Sequence, residues 1–293
     1  MAATIIDGKA LAEDIRAELA GRVAALKERG VVPGLAVILV GEDPASVSYV
    51  SAKEKACEEA GMKSFERRLP ADASEDELIA LVRAFNDDPA VHGILVQLPL
   101  PKHISEKRVI ETIRPDKDVD GFTPINVGKM LLGDPCFLPC TPHGVLKLIE
   151  RAGVSVKGAH AVVVGRSNIV GKPLANLLIR KEYNATVTVV HTGTKDMAYH
   201  TRQADILIAC AGVPELIKAD MVKPGVCVIV VGVNLVDDPS KAKGWRLCGD
   251  VDFKGVAEKA GSITPVPGGV GPMTITMLLY NTVESAERAA AGR

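Results

Sequence analysis

Apolar and polar positions along the chain follow two periods that alternate with each other. Residues 8–29 place apolar side chains at the three- and four-residue spacing of an amphipathic helix, closed by Gly30. LAVILVG (35–41) is a short, continuous apolar run, the pattern of a strand buried on both faces. A helix is expected over 46–60, ending at Gly61, and KSFERRL (63–69) alternates like a half-exposed strand. SEDELIALVRAFN opens with Ser74 and Glu77 at capping-box spacing, and HGILVQL (92–98) is a second buried strand, stopped by the prolines of PLP.

The pattern then breaks. Residues 115–142 carry Pro115, Pro124, Pro135, Pro139 and Pro142, with only a short helical stretch near 126–132. Beyond it the alternation restarts: AHAVVVG (159–165), a helix to about 182, ATVTVV (185–190), ADILIAC (204–210) and VCVIVVG (226–232). A final helix over 272–290 is expected to pack back onto the first half. Strands alternating with helices imply mostly parallel sheets covered by helices. The expected fold is therefore α/β with two domains and a cleft between them. An N-terminal α/β catalytic domain would span 1–122 and be completed by a C-terminal helix, 272–293. A Rossmann-like dinucleotide-binding domain would span 140–270.

Composition narrows the function classes. A net charge of -1, with no basic run, argues against a nucleic-acid or membrane-surface partner. The N-terminus lacks a secretory pattern and no segment is long enough to span a bilayer, so a cytoplasmic protein is expected. The six cysteines are scattered and read as free thiols. Cys136, Cys140 and His143 match no zinc spacing, and no metal is expected.

Two glycine-rich turns carry the candidate chemistry. GRSNIVGKP (165–173) joins a strand directly to a helix, the setting in which backbone N–H groups and the helix dipole receive a phosphate. Its spacing, Gly165 then Gly171, is only a partial Rossmann match, and a tight turn without ligand is the plain alternative. The next strand ends in His191-Thr192-Gly193-Thr194, where NAD sites place an acid; with Arg166 in the glycine turn, this favours NADP. In PVPGGVGPMT (265–274), six of ten residues are Gly or Pro, and the stretch opens the last apolar helix. It reads either as a backbone approached by a flat ligand or as a plain linker.

A reacting site is less obvious. Tyr49 and Lys53 are four apart and share a helix face, which could equally be a solvated one. Gln97 ends a buried strand, and Asp118 and Asp120 lie in the acidic loop DKDVDGF (116–122). These polar groups are expected to converge on the crevice between the halves.

Taken together, Tyr49-Val50-x-x-Lys53, QLPLP (97–101), DKDVDGF (116–122), Pro139-Cys-Thr-Pro142, GRSNIVGKP, GDVDF (249–253) and PVPGGVGPMT resemble the bifunctional methylenetetrahydrofolate dehydrogenase/cyclohydrolases. They occur in that family's order and span nearly the whole chain. The resemblance implies NADP-dependent oxidation of 5,10-methylenetetrahydrofolate to the methenyl compound, then hydrolysis to 10-formyltetrahydrofolate, by a homodimer acting on tetrahydrofolate derivatives.

Carried over by position, it implies Lys53 as the catalytic lysine, Gln97 as its partner, Tyr49 over the folate and Asp120 on the pterin. Leu98, Pro267, Gly268 and Gly269 join the substrate site. Gly165, Arg166, Ser167, Gly171, His191, Thr192, Gly212, Val233 and Thr274 take the cofactor. One departure stands out: the family's Val-Ile-Asp-Val-Gly-Ile-Asn reads VIVVGVN (228–234) here, with Val230 replacing an acid that would hydrogen-bond under the cofactor. Outside the family, a Rossmann dehydrogenase of amino or keto acids would leave QLPLP and PVPGGVGPMT unexplained. A non-catalytic NADP sensor would not need Lys53, Gln97 and Asp120.

Overall fold

A computed structural model describes residues 3–241 and 243–292; Met1 and Arg293, the outer ends of the expected domains, lie outside the described residues. In chain order the elements begin with β1 (Thr4–Ile5), α1 (Gly8–Glu28), β2 (Gly34–Val40), α2 (Pro44–Glu59), β3 (Lys63–Leu69), α3 (Glu75–Asp87) and β4 (Gly93–Val96). The middle of the chain holds α4 (Glu106–Thr112), α5 (Pro124–Leu132), α6 (Cys140–Arg151), β5 (His160–Val164), α7 (Gly171–Leu178), β6 (Thr186–Val190), α8 (Met197–Thr201) and β7 (Ile206–Ala209). The last are β8 (Cys227–Val230), β9 (Asn234–Asp237), β10 (Trp245–Cys248), α9 (Phe253–Ala257), β11 (Ser262–Ile263) and α10 (Val270–Ala291). The chain divides into two compact units, Glu13–Cys140 with Ile275–Arg293, and Met1–Ala12 with Thr141–Thr274.

The first unit is built on a three-stranded parallel sheet in the order β3-β2-β4. All seven residues of β2 are buried, which is why it reads as unbroken apolar sequence. β3 is an edge strand, and its Lys63, Arg67 and Arg68 are exposed, a composition that protects an edge from further pairing. Apolar residues of β2 and β4 pack with Leu78, Ile79, Val82 and Phe85 of α3 into one core. The capping box is present: Glu77 N–H donates to Ser74 Oγ at 3.2 Å, and Ser74 N–H to Glu77 Oε2 at 2.8 Å. α2 starts two residues earlier than the expected 46, because Asp43 caps it and Pro44 fits its first turn.

Behind β4 the 117–121 segment runs very close. Ile94 N–H donates to Lys117 O at 2.8 Å. A Cβ on Gly93 would lie 2.7 Å from a Val119 methyl, so only glycine allows this approach. The acidic loop is thereby held against the end of the sheet.

The second unit contains a six-stranded, wholly parallel sheet in the order β1-β11-β8-β7-β5-β6, and a separate antiparallel hairpin of β9 and β10. From β5 the chain moves outward to β6, then crosses back to β7 and continues to β8. The direction of travel therefore reverses between β5 and β7, and the ends of these strands are where open α/β sheets collect ligands. Thr4–Ile5 pairs in parallel with Ser262–Ile263, and residues 3–12 belong to this unit, whereas the sequence reading placed them in the N-terminal domain. The strands expected over 204–210 and 226–232 are hydrogen-bonded as strands only over Ile206–Ala209 and Cys227–Val230, and the helix expected to about 182 ends at Leu178.

Candidate functional site

Lys53 is the most informative side chain of the first unit. It lies on α2 and is only 8% exposed, although lysine normally keeps its ammonium in water. Its Nζ donates to Gln97 Oε1 at 2.9 Å, and Gln97 Nε2 in turn donates to Leu98 O at 2.7 Å. Gln97 is fixed by its backbone, whose N–H donates to Ile38 O at 2.9 Å and prolongs the β2–β4 ladder beyond Val96. A neutral amide thus holds the amine without adding a counter-charge.

Burial pushes the Lys53 ammonium below its ordinary value, while the negative charge of Asp120 and the neighbouring Cys140 oppose that shift. Burial raises Asp120, with Lys53 and Cys140 working against it. Both groups are driven toward their neutral forms, without a direct ion pair between them. Tyr49, one turn before Lys53 on α2, is 43% exposed and presents its ring to solvent.

Asp120 is placed by the loop it sits in. The carboxylate of Asp118, itself buried, accepts from Phe122 N–H, Thr123 N–H and Asn126 Nδ2, closing a turn around Asp120. Asn281 of α10 donates from Nδ2 to Val119 O at 2.8 Å and Leu138 O at 2.9 Å. The Cys140 thiol donates to Val119 O at 3.3 Å. Asn281 and Cys140 thus bound the loop; Asn281 was not picked out from sequence, and Cys140 was noted only as a rejected metal ligand and as part of a motif, because their partners are remote in the chain. Among the described residues no cluster of three His, Cys, Asp or Glu side chains could hold a metal ion.

The second unit brings the glycine turns together. Gly165 follows β5 at φ +132, and a Cβ there would lie 2.4 Å from Cys210 O, so the turns after β5 and β7 touch through backbone. A Cβ on Gly171 would lie 2.3 Å from Gly165 O, which fixes α7 tightly against the end of β5.

The expected anion geometry needs one correction. The first amides of α7 are taken by Ser167, whose Oγ accepts from Val170 N–H and Gly171 N–H and whose carbonyl accepts from Lys172 N–H. It is the loop amides of Arg166, Ser167, Asn168 and Ile169 that have no acceptor among the described residues. Consecutive open N–H groups of this kind make an anion nest. Arg166 is exposed and makes no ion pair among the described residues.

Past β6, His191 N–H donates to Thr194 Oγ1 at 2.9 Å and Gly193 N–H to His191 Nδ1 at 3.0 Å, so the 191–194 turn is closed on itself beside exposed Thr192. No carboxylate stands at this strand end. A phosphate on the ribose therefore meets no like charge here, and the residues of these turns fit a phosphorylated dinucleotide.

Gly212 adopts φ +67, and its N–H donates to Asp250 Oδ2 at 2.9 Å. Val233 is 42% exposed beyond β8. Val230, the departure from the family pattern, is buried; its N–H donates to Thr264 Oγ1 at 2.7 Å, and a Cβ on Gly249 would strike its methyl at 2.3 Å. The PVPGG segment also belongs to this unit. Gly268 O accepts from Lys9 N–H at 3.0 Å, and Gly8 leaves no room for a Cβ against Gly269 O. Thr274 Oγ1 hydrogen-bonds Thr141 Oγ1 at 2.9 Å. The expected substrate residues are thus divided between units: Tyr49, Lys53, Gln97, Leu98 and Asp120 lie in the first, Pro267, Gly268 and Gly269 in the second.

Comparison with known proteins agrees with both halves. Residues 6–120 match the tetrahydrofolate dehydrogenase/cyclohydrolase catalytic-domain model, and residues 139–290 match the NAD(P)-binding-domain model of the same name. A bifunctional protein FolD from Geobacillus thermodenitrificans is 60% identical over 99% of this chain and 100% of its own length. The crystal structure of a bifunctional FolD methylenetetrahydrofolate dehydrogenase/cyclohydrolase from Campylobacter jejuni is 51% identical, with a TM-score of 0.93 over 98% of this chain and 99% of that one. A Trypanosoma brucei methylenetetrahydrofolate dehydrogenase-cyclohydrolase, solved with NADP and an inhibitor, is 42% identical with a TM-score of 0.94, covering 98% of each chain.

Proposed function

The chain belongs to the tetrahydrofolate dehydrogenase/cyclohydrolase family, and we propose that it oxidises 5,10-methylenetetrahydrofolate with NADP and hydrolyses the methenyl product to 10-formyltetrahydrofolate through Lys53. The observation that carries the assignment of Lys53 is its buried amine, held at 2.9 Å by the neutral Gln97 Oε1. NADP supplies the hydride acceptor. Loss of hydride from the one-carbon bridge needs no acid or base on the protein, because the two flanking substrate nitrogens stabilise the cation that forms; the protein's task is alignment.

Hydrolysis does need a base. Water adds to the methenyl carbon and must lose a proton as the C–O bond forms; the neutral Lys53 Nζ accepts it. That proton is then available to the ring nitrogen that leaves when the C–N bond breaks, while the hydroxyl proton of the adduct passes to solvent as the formyl C=O forms. A cationic substrate carbon nearby favours the uncharged amine further. Gln97 Oε1 orients Nζ in both protonation states, since the ammonium and the amine both donate. Asp120 accepts from the amino and ring N–H groups of the pterin, and Tyr49 offers its exposed ring to the flat substrate. Leu98, Pro267, Gly268 and Gly269 complete the substrate contacts in this reading.

Arg166, with the open amides of its loop, receives the 2′-phosphate that distinguishes NADP from NAD. Gly165, Ser167, Gly171, His191, Thr192, Gly212, Val233 and Thr274 line the remaining cofactor path. No helix among the described residues is long and apolar enough to cross a membrane, and none of the six cysteines forms a disulfide, which fits a reducing cytoplasm. The working form in this reading is a homodimer, checked by its elution on a calibrated sizing column.

The test mixes protein and methylenetetrahydrofolate with NADP or NAD, following reduced cofactor and methenyl absorbance together. Reduced cofactor without methenyl accumulation is the expected result with NADP. Methenyl accumulating in step with reduced cofactor would remove the second activity, and no reduced cofactor would remove the first.

A further inference from the structure

GDVDF (249–253) has no role in the chemistry above, yet its first aspartate is among the most completely enclosed side chains of the second unit. Asp250 is 0% exposed and has no cationic partner among the described residues. Its two oxygens are saturated by nitrogen donors instead. Oδ2 accepts from Ala211 N–H at 2.6 Å and Gly212 N–H at 2.9 Å; Oδ1 accepts from Val213 N–H at 3.0 Å and Asn234 Nδ2 at 2.9 Å.

Three successive amides can converge on one carboxylate only if the backbone curls around it, and Gly212 at φ +67 supplies that curl. The same carboxylate lies against the turn after β8, where a Cβ on Gly232 would meet Oδ1 at 2.1 Å. Asp250 is itself anchored, since its carbonyl accepts from Ile217 N–H at 2.9 Å. One side chain thus ties the turns after β7 and β8 to the start of β9. The tied turn begins at Cys210, the residue whose carbonyl abuts Gly165 across the β5–β7 reversal.

We propose that Asp250 is a positioning residue for the dinucleotide: it sets the 210–213 turn as one wall of the cofactor crevice, opposite the 165–171 turn. This rests on the reading above that NADP occupies that crevice. A carboxylate suits the task because both its oxygens only accept. In Asp250→Asn, whichever way the amide turns, its NH2 faces two N–H donors, so the turn must open although the side-chain volume is unchanged.

The test uses the full chain. NADPH binding is followed by fluorescence titration, exchange of the Ala211–Val213 amides by hydrogen–deuterium exchange, and hydrolysis of preformed methenyltetrahydrofolate without cofactor. For Asp250→Asn, NADPH binds about tenfold or more weakly, the three amides exchange faster, and hydrolysis stays within about twofold of the parent chain. Unchanged NADPH affinity with normal hydrolysis overturns the proposal. Should hydrolysis fall as well, Asn234→Ala carries the test: removing one of the four donors weakens NADPH about threefold, and an unchanged affinity overturns the proposal. A parent chain that binds no NADPH while hydrolysing the methenyl substrate overturns the cofactor reading, and this proposal with it.

Discussion

Lys53→Met separates the two activities, and the expected separation can be worked from the geometry. Methionine keeps an unbranched chain of similar length, so the buried face of α2 stays filled. What is lost is the amine and its single hydrogen bond to Gln97 Oε1. Gln97 is partly exposed, so water can take over that acceptor, and the net loss is about 1 kcal/mol. If all of it fell on substrate placement, dehydrogenation would slow by roughly fivefold. Hydrolysis loses the base as well, an effect of roughly 10²–10⁴.

The ratio of hydrolysis to dehydrogenation should therefore fall at least about twentyfold. Decay of methenyl absorbance, with the uncatalysed rate subtracted, gives the numerator; reduced-cofactor formation gives the denominator. In the parent chain hydrolysis should also rise with pH as the amine loses its proton, levelling off below the ordinary lysine value of 10.5 because burial lowers Lys53. The Met variant should lack that rise. An unchanged ratio in the variant would refute the assignment of Lys53.

The remaining expectations can be taken together. Arg166→Ala should raise the KM for NADP by roughly ten- to a hundredfold, the range of a lost charge-assisted phosphate contact, while leaving the KM for folate and for NAD nearly unchanged; equal shifts for NADP and NAD would count against the phosphate contact. Asn281→Ala leaves Val119 O with only the weak Cys140 thiol donor and removes the amide donor from the part-buried Leu138 O, and should cost about 1–3 kcal/mol in urea unfolding, whereas a loss below about 0.5 kcal/mol, on the order of a surface change, would show that water replaces the amide. His143 is pushed down to about 4 by burial, with Lys147 adding to the effect. As pH falls from 6.5 towards 4 the unfolded chain gains a proton that the folded ring refuses, so stability declines across that window, by no more than about 3 kcal/mol. His143→Gln should flatten the decline, measured by urea unfolding at each pH.

Much of this architecture was legible because burial leaves a one-dimensional trace. β2 is buried at every position and reads as unbroken apolar sequence, and the cap of α3 is spelled out by two residues three apart. Other elements were hidden by local rules that tertiary contacts override. α6 opens with Pro142 and Gly144, which look like loop; Pro142 sits harmlessly in the first turn, and Gly144 is needed because a Cβ would meet Met273 at 2.9 Å. The β9–β10 hairpin buries little and so lacks an apolar signature.

The site divides in the same way. Tyr49 and Lys53 share a helix face by spacing alone, but the contact of Lys53 with Gln97 joins residues 44 apart, which no local period reports. Asp250 was visible only as part of a motif, since its four donors come from two other segments. The position of the glycine turn between β5 and α7 was readable from context, whereas the identity of its open amides depended on where Ser167 directs its hydroxyl.

The pairing of Thr4–Ile5 with Ser262–Ile263 has a consequence for biosynthesis and for dissection of the molecule. During translation the first strand leaves the ribosome roughly 260 residues before its partner, a wait of some tens of seconds at ordinary elongation rates. The six-stranded sheet cannot be closed at that edge until the polypeptide is almost finished. A clone limited to residues 139–290 would carry Ser262 and Ile263 with their outward N–H and C=O groups unmatched, an opening for self-association. Workers wanting the nucleotide-binding half by itself would need to graft the first dozen residues back on.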